Sequence, residues 1–283
     1  MTSFTRNRIG NVLSQVVSYL VLSVGTLVLL FPIAWIFVSA LKTPQELFAT
    51  PVHWIPLNPT LGNFIRLIQD LAFLTYLKNS LIVASVTTIL VIPAGTLAAY
   101  SFSRFPIKGR GSFVYLFTAT QMFPSVLLMI SMYQLMVYLN LVNTYAALVI
   151  LYTTFALPFS TLMIKSYIDS IPVDLEEAAM IDGCDRLGAL ARIVLPTVAP
   201  GLVAAGIFAF ILAWDEFLYA LTFTSSDLMR TVPIGIMYFR ERWLMRWELI
   251  MAGSTLCLIP VLIAFFFVRK FLLRGLTAGA VKG

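Results

Sequence analysis

Two adjacent carboxylates, Asp215 and Glu216, lie within a long apolar stretch of this sequence. An acidic residue near the centre of a membrane helix costs roughly 2.5–3.5 kcal/mol on insertion scales, so it faces a polar cavity or a partner. Neighbouring helical residues point about 100° apart, so one acid can line a pathway while the other pairs with a basic group. Alternatively, both acids lie near the external interface and are hydrated. We predict a solute pathway lined by Trp214, Asp215, Glu216 and Phe217.

A second polar feature, residues 171–196, separates two apolar runs and carries five of the chain's 13 acidic residues. Pro172 favours a first helical turn, and the acids that follow it complement the positive end of a helix dipole. Gly183 can adopt the left-handed conformation that ends a helix, and Asp185 can cap a second helix. The segment therefore predicts a helix, turn and helix at a membrane surface, where another protein docks.

The composition identifies an integral membrane protein. Of the 283 residues, 60% are hydrophobic and only 11% are charged, with a mean hydropathy of +0.92. The net charge of +6 mainly records membrane orientation and does not imply nucleic acid. Cys184 and Cys257 have neither disulfide nor metal-ligand spacing, and the single histidine, His53, has no role in our interpretation.

Apolar runs of about 20 residues are long enough to cross the hydrocarbon core of a bilayer. Pro32, Pro124 and Pro158 lie inside such runs and predict bends. We therefore predict an all-α polytopic membrane protein, with residues 1–283 forming a single transmembrane domain of six helices. The predicted crossings are residues 16–41, 79–102, 111–138, 144–164, 197–223 and 248–268.

The distribution of basic residues predicts the orientation of these crossings. Twelve Lys and Arg residues fall on the side of the termini and of residues 171–196, against seven on the other side. Because cytoplasmic loops are enriched in Lys and Arg, both termini and the polar segment are expected in the cytoplasm. One basic and aromatic segment disagrees and is predicted to lie at the interface before the sixth crossing: Arg240, Arg242, Trp243, Arg246 and Trp247.

The polar segment resembles the EAA loop of binding-protein-dependent ABC importer permeases. The matching residues are Glu177, Ala178, Ala179, Asp182, Gly183, Ile193, Leu195, Pro196 and Pro200. In that family the loop is a coupling helix seated in a cleft of a cytoplasmic ATPase subunit. The resemblance implies ATPase coupling through Glu176, Glu177, Ala178, Ala179, Asp182, Gly183, Leu195 and Pro196.

The resemblance extends from LFPIAWIFVSALKTPQELF to LTAGAVKG and is strongest to the smaller, six-span permease of maltose-type carbohydrate importers. It implies a type I ABC importer permease fold in the cytoplasmic membrane of a bacterium or archaeon. The implied partners are a second homologous permease, an ATPase dimer, an external solute-binding protein and a sugar, either an oligosaccharide or a glycoside. ATP and Mg would bind to the ATPase, and this chain, which has no GxxxxGK[ST] sequence, would bind no cofactor and would not be an enzyme.

Two further segments acquire roles from this resemblance. Residues 224–237 would reach into the binding protein, and residues 277–283 would approach the ATPase dimer interface. The family commonly has Asn where this chain has Asp215, so no role is carried over to that position.

Two other functions stay open at this stage. An ABC importer of glycerol phosphate or another small polar solute has the same architecture, although a phosphate cargo calls for basic groups inside the crossings, which we do not find. An ion-coupled secondary transporter would use Asp215 and Glu216 as ion sites. An intramembrane enzyme is disfavoured because no HExxH motif or activated nucleophile is evident.

Overall fold

The computed structural model describes residues 3–69, 71–239 and 245–280, with side chains described for residues 14–69, 72–239 and 245–266. Across these residues the regular secondary structure is helical, which confirms the all-α class. The helices are α1 (Ser3–Ala40), α2 (Pro44–Leu47), α3 (Gly62–Gln69), α4 (Leu71–Arg104), α5 (Arg110–Met122), α6 (Ser125–Tyr138), α7 (Tyr145–Asp169), α8 (Asp174–Ile181), α9 (Arg186–Ala189), α10 (Leu195–Thr197), α11 (Ala199–Asp215), α12 (Leu218–Phe223), α13 (Val232–Met237) and α14 (Trp247–Ala280), with a π-helical turn at Leu190–Val194 between α9 and α10.

Several of these helices are long and apolar enough to cross a bilayer. Four do so singly, over Ser14–Ala40, Ala72–Arg104, Tyr145–Asp169 and Trp247–Phe266. Two further crossings are bent pairs, α5 with α6 at 97° and Arg186–Thr197 with α11 at 78°. The described chain thus has four to six apolar crossings, as expected for a polytopic membrane protein.

The third predicted crossing, residues 111–138, is a broken helix. Phe123 and Pro124 have extended ψ angles of 123° and 118°, so α5 ends at Met122 and α6 starts at Ser125. The residue before a proline is disfavoured in the helical conformation, which explains why the chain breaks here. By contrast, α7 runs through Pro158 without a break.

The fifth predicted crossing, residues 197–223, also differs from a single helix. Glu216 has φ −69° and ψ 126°, which ends α11 at Asp215, and α12 then begins at Leu218. The second crossing, which we predicted to start at residue 79, is part of a longer helix, α4, which starts at Leu71.

Contacts group the chain into two units. The first comprises Met1–Gln69 and Phe239–Leu256, and the second comprises Asp70–Tyr238 and Cys257–Gly283. The predicted interfacial segment at residues 240, 242 and 243 and the last part of the predicted tail, residues 281–283, lie outside the described residues.

In the first unit, the chain after α1 is braced by buried polar groups. The Lys42 ammonium donates to the His53 carbonyl over 2.5 Å and lies 4.4 Å from the Trp35 ring centroid. The Asn63 amide donates to the carbonyls of Ala40 and Lys42 over 2.8 and 2.9 Å. Because each group satisfies backbone carbonyls, the proline-rich stretch between the first two predicted crossings has a fixed fold, with α2 and α3 inside it.

In the second unit, α4, α7 and α11 pack together at the centre. Small residues of α11 allow this close packing: a Cβ on Gly201 would lie 2.4 Å from Cγ of Tyr167 on α7. Ala205 and Ala209 of the same helix are fully buried. The spacing between α7 and α11 therefore depends on the absence of a side chain at residue 201.

We expect Gly201→Ala to destabilise the protein by about 1–3 kcal/mol, because the added methyl group forces the Tyr167 ring out of its position. Thermal unfolding of the purified protein in detergent measures the effect. Gly206→Ala on the same helix is the matched control, since its nearest neighbours would be 3.6 Å away. Equal unfolding midpoints for the two variants would contradict this packing.

The coupling loop and a polar cavity between broken helices

Residues 171–196 form the helix, turn and helix predicted from the sequence. Asp174, Glu176 and Glu177 lie in the first turn of α8, where they oppose the positive end of its dipole. Gly183 has φ 93°, the left-handed conformation that favours glycine. Asp185 caps α9 by accepting a hydrogen bond from the Gly188 amide over 2.8 Å. We call residues 171–196 the coupling loop.

Glu176 points inward from α8, with an exposed fraction of only 3%. Its carboxylate accepts hydrogen bonds from the Tyr100 hydroxyl at 2.8 Å and from Nε of Arg104 at 2.5 Å. Glu176 therefore faces α4 and lies away from the exposed side of the loop, and its predicted coupling to the ATPase stays a prediction.

The opposite side of the coupling loop is exposed. Glu177, Ala178, Asp182 and Gly183 are all exposed, whereas Ala179 is buried and supports the helix from behind. At the far end of the loop, Pro196 is exposed and Leu195 is half-buried. Four of the eight residues predicted to couple thus lie together on one exposed surface: Glu177, Ala178, Asp182 and Gly183.

Apolar residues extend this exposed side. Ile181 is 86% exposed, and Leu175 and Leu187 are also exposed. The orientation of α8 depends on Tyr100 and Arg104, which bind the buried Glu176 and which the sequence did not connect with the loop.

The predicted pathway residues lie in different surroundings. Trp214 is only 2% exposed and stacks on Phe210 in the core, with ring centroids 5.7 Å apart. Its predicted place in the pathway is therefore corrected, because its ring is enclosed by other helices. Asp215 is exposed at the end of α11, and Phe217 is half-buried.

Glu216 occupies the break between α11 and α12, where it accepts three hydrogen bonds. Oε2 accepts from the Tyr152 hydroxyl at 2.7 Å and from the Ala220 amide at 3.0 Å, and Oε1 accepts from the Tyr219 amide at 2.8 Å. The carboxylate therefore caps α12 and binds a tyrosine, in place of the basic partner that we expected for one of the two acids.

The two broken helices meet at a cavity of about 270 Å³. Across it, the Tyr219 hydroxyl donates to the Ser125 carbonyl, just after the break at Pro124, over 2.7 Å. Gln121 and Glu216 also line the cavity, together with the rings of Phe155 and Tyr219. Irregular backbone at membrane depth is tolerated where it is buried in protein or lines a cavity, and residues of both breaks line this cavity.

At the other end of α4, polar side chains hold the segment before α13. The Asn79 amide donates to the carbonyls of Leu228 and Arg230 over 2.9 and 2.7 Å, and its oxygen accepts from the Tyr145 hydroxyl at 2.6 Å. In α13, Val232 is fully buried. The resemblance implied that residues 224–237 contact the binding protein. Most of the exposed residues in this range lie around Leu228.

These features define a polytopic membrane permease with a helical docking loop on one surface. Residues 91–278 match the family model described as binding-protein-dependent transport system inner membrane component. The chain belongs to this family, which confirms the resemblance first seen in the coupling loop.

Individual proteins support the same assignment. The chain is 43% identical over 254 residues to a sulfoquinovosyl glycerol transport system permease of Agrobacterium fabrum, covering 90% of this chain and 89% of that protein. It is 37% identical to a trehalose/maltose transport system permease of Thermococcus litoralis, covering 95% and 99%. Its fold is similar to a chain of a bacterial ABC transporter that imports alginate, with a TM-score of 0.75, 22% identity and coverage of 92% and 97%. The type I importer permease fold is therefore confirmed.

We expect a cysteine at residue 178 to react rapidly with a water-soluble maleimide and a cysteine at residue 179 to react at least about tenfold more slowly, since buried thiols are inert. Ala178→Cys and Ala179→Cys form a matched pair of small substitutions on one helix. Labelling rates in a background that lacks Cys184 and Cys257 provide the measurement. Equal rates would show that α8 does not have the orientation described above.

Proposed function

We propose that this chain is a permease subunit of an ATP-driven importer that moves a sugar, an oligosaccharide or a glycoside, delivered by an external solute-binding protein. The coupling loop carries this proposal, because its exposed α8 surface is what an ATPase partner requires. The names of the similar proteins, which refer to sulfoquinovosyl glycerol and to trehalose and maltose, support a carbohydrate cargo.

The complex comprises this chain, a second homologous permease and an ATPase dimer. The ATPase binds ATP and Mg and performs the hydrolysis, while this chain binds no cofactor and catalyses no reaction. Lipid and the second permease cover the apolar side chains of α1, which are exposed along most of its length. The excess of basic residues on the coupling-loop side supports a cytoplasmic location for this loop and both termini.

The coupling loop meets the ATPase through the surface around Glu177 and Ala178. Glu177 provides a charged contact, Ala178 allows close approach and Ile181 supplies an apolar contact that is desolvated on docking. Gly183 sets the angle between α8 and α9. Closure of the ATPase dimer then moves the loop, and the pathway changes from facing inward to facing outward.

The solute passes beside the broken helices. Gln121 and Glu216 bring polar groups to the cavity between α5, α7 and α12, and exposed Asp215 is adjacent in the chain. Such groups replace part of the hydration of a neutral polyol. Because Glu216 already caps α12, we assign it a role in holding the shape of the pathway as well as lining it.

Reconstitution of the complex in liposomes tests the function. We expect uptake of a carbohydrate only with ATP, the ATPase and the binding protein, and stimulation of ATP hydrolysis by the same solute. A panel of sugars, glycosides, glycerol phosphate and other small polar solutes identifies the cargo. Uptake by this chain alone, driven by an ion gradient, would contradict the proposal and favour a secondary transporter.

We expect Glu177→Lys to reach the membrane but to lower ATPase assembly and transport roughly tenfold, as for charge reversal at a desolvated contact. Co-purification of the ATPase and uptake per permease measure these effects. Glu177→Gln is the graded control and is expected to lose less. Normal uptake by Glu177→Lys would remove the charged contact from the mechanism.

Gly183→Val is expected to lower assembly and transport as well, because a β-branched residue at φ 93° strains the turn by about 1–3 kcal/mol. Gly109→Val is the matched control, since Gly109 has φ 79° and, like Gly183, open space around its Cβ position, but lies outside the coupling loop. If both variants lose transport equally, backbone strain at the substituted glycine explains the loss. The angle between α8 and α9 would then not be its cause.

A further inference from the structure

Arg104, the last residue of α4, joins three separate parts of the chain. Its Nε donates to the Glu176 carboxylate of α8 at 2.5 Å. Its Nη2 donates to the carbonyls of Ile168 at 3.1 Å and Ile171 at 3.0 Å, at the end of α7 and just beyond it. One guanidinium group thus ties α4, α7 and α8 together.

Burial gives this arrangement its rigidity. The side chains of Arg104 and Glu176 are only 8% and 4% exposed. The planar guanidinium presents several donors in a fixed geometry, so it can satisfy a carboxylate and two carbonyls at once, which a lysine cannot do in the same way. The Tyr100 hydroxyl binds the second carboxylate oxygen of Glu176, so rotation of this side chain is restricted from two directions.

Apolar packing reinforces the same junction. Leu190 and Val194 of the π-helical turn are buried in one cluster with Tyr100 of α4 and with Ile164 and Ile168 of α7. The second half of the coupling loop is thus held by side-chain contacts against the two helices that Arg104 connects. The hydrogen bonds from the Tyr100 hydroxyl and from Nε of Arg104, however, are made to Glu176 of α8, which carries the exposed surface.

We propose that Arg104 is a positioning residue that makes α8 and the adjoining ends of α4 and α7 move as one body. A displacement of α8 then reaches both helices directly, without loss in a flexible hinge. The identity of the ATPase partner that displaces α8 rests on the proposed function. The attachment of α8 to α4 and α7 rests only on hydrogen bonds within this chain.

The double variant Arg104→Met/Glu176→Met tests this role. Replacing a buried ion pair by apolar groups of similar volume is often neutral for folding, whereas loss of one partner leaves a buried charge. The variant therefore keeps the packing and removes the directional contacts. Lys165→Met is the control, since Lys165 lies near the same end of α7 and pairs with Asp169 within that helix.

Two measurements are made on the assembled complex in nanodiscs. Spin labels at Asp174→Cys on α8 and Ile89→Cys on α4, in a background without Cys184 and Cys257, report their distance distribution. We expect a narrow distribution in the parent protein and the control, and a clearly broader one in the double variant. Solute moved per ATP hydrolysed is expected to fall about tenfold in the double variant, within the usual range of coupling energies.

An unchanged distance distribution together with an unchanged transport ratio in the double variant would overturn the proposal. If the double variant does not reach the membrane, Tyr100→Phe/Arg104→Lys, which keeps the size and charge but loses the fork and one hydroxyl, is measured in its place. The same criteria then apply. Failure of the parent complex to couple ATP to any solute would contradict the proposed function alone, because the label distances still decide whether Arg104 fastens α8.

Discussion

The requirement that backbone groups be satisfied within a bilayer governs this fold. A continuous helix meets most of this requirement by itself, and α4 and α7 run without a break although Pro93 and Pro158 each remove one backbone donor. Where α5 and α11 end inside predicted crossings, side chains add hydrogen bonds: Glu216 accepts from two amides of α12, and Tyr219 donates to the Ser125 carbonyl. The cavity lies between these two breaks.

The intact and the interrupted helices have different consequences for motion. The coupling loop is attached to the intact pair through Arg104 and through the apolar cluster around Ile168. The cavity is lined largely by the interrupted helices. If α4, α7 and α8 move as one body, as proposed, the Tyr152 to Glu216 hydrogen bond at the cavity is a contact between that body and the interrupted helices.

Much of the architecture could be predicted from sequence because membrane helices and helix caps leave local signals. Long apolar runs gave the crossings, Gly183 gave the turn, and Asp185 gave the cap of α9. The orientation of α8 could not be predicted, because it depends on a contact between residues 104 and 176, which are far apart in sequence. The break at Glu216 was missed for a similar reason: the stabilising Tyr152 hydroxyl comes from another helix.

The burial pattern of α8 is the reverse of what helical spacing usually indicates. Apolar residues at helical spacing usually face a core, whereas Leu175 and Ile181 are exposed. The buried residues of α8 are Glu176 and Ala179, so a polar side chain lies inside and apolar side chains lie outside, which supports the proposed docking surface. Trp214 shows the converse, since an aromatic residue beside two acids proved to be a core residue.

The hydrogen bonds of Asn79 connect the intact helices α4 and α7 to the segment before α13. Tyr145 at the start of α7 binds Asn79 of α4, and the Asn79 amide holds the carbonyls of Leu228 and Arg230. An axial shift or tilt of α4 is therefore transmitted to the backbone of residues 228–230. Asn79, which holds that backbone, lies roughly 37 Å from Arg104, because an α-helix rises about 1.5 Å per residue. The coupling loop and the segment at residues 228–230 are thus both attached to α4, so a movement of either one is transmitted to the other through this helix.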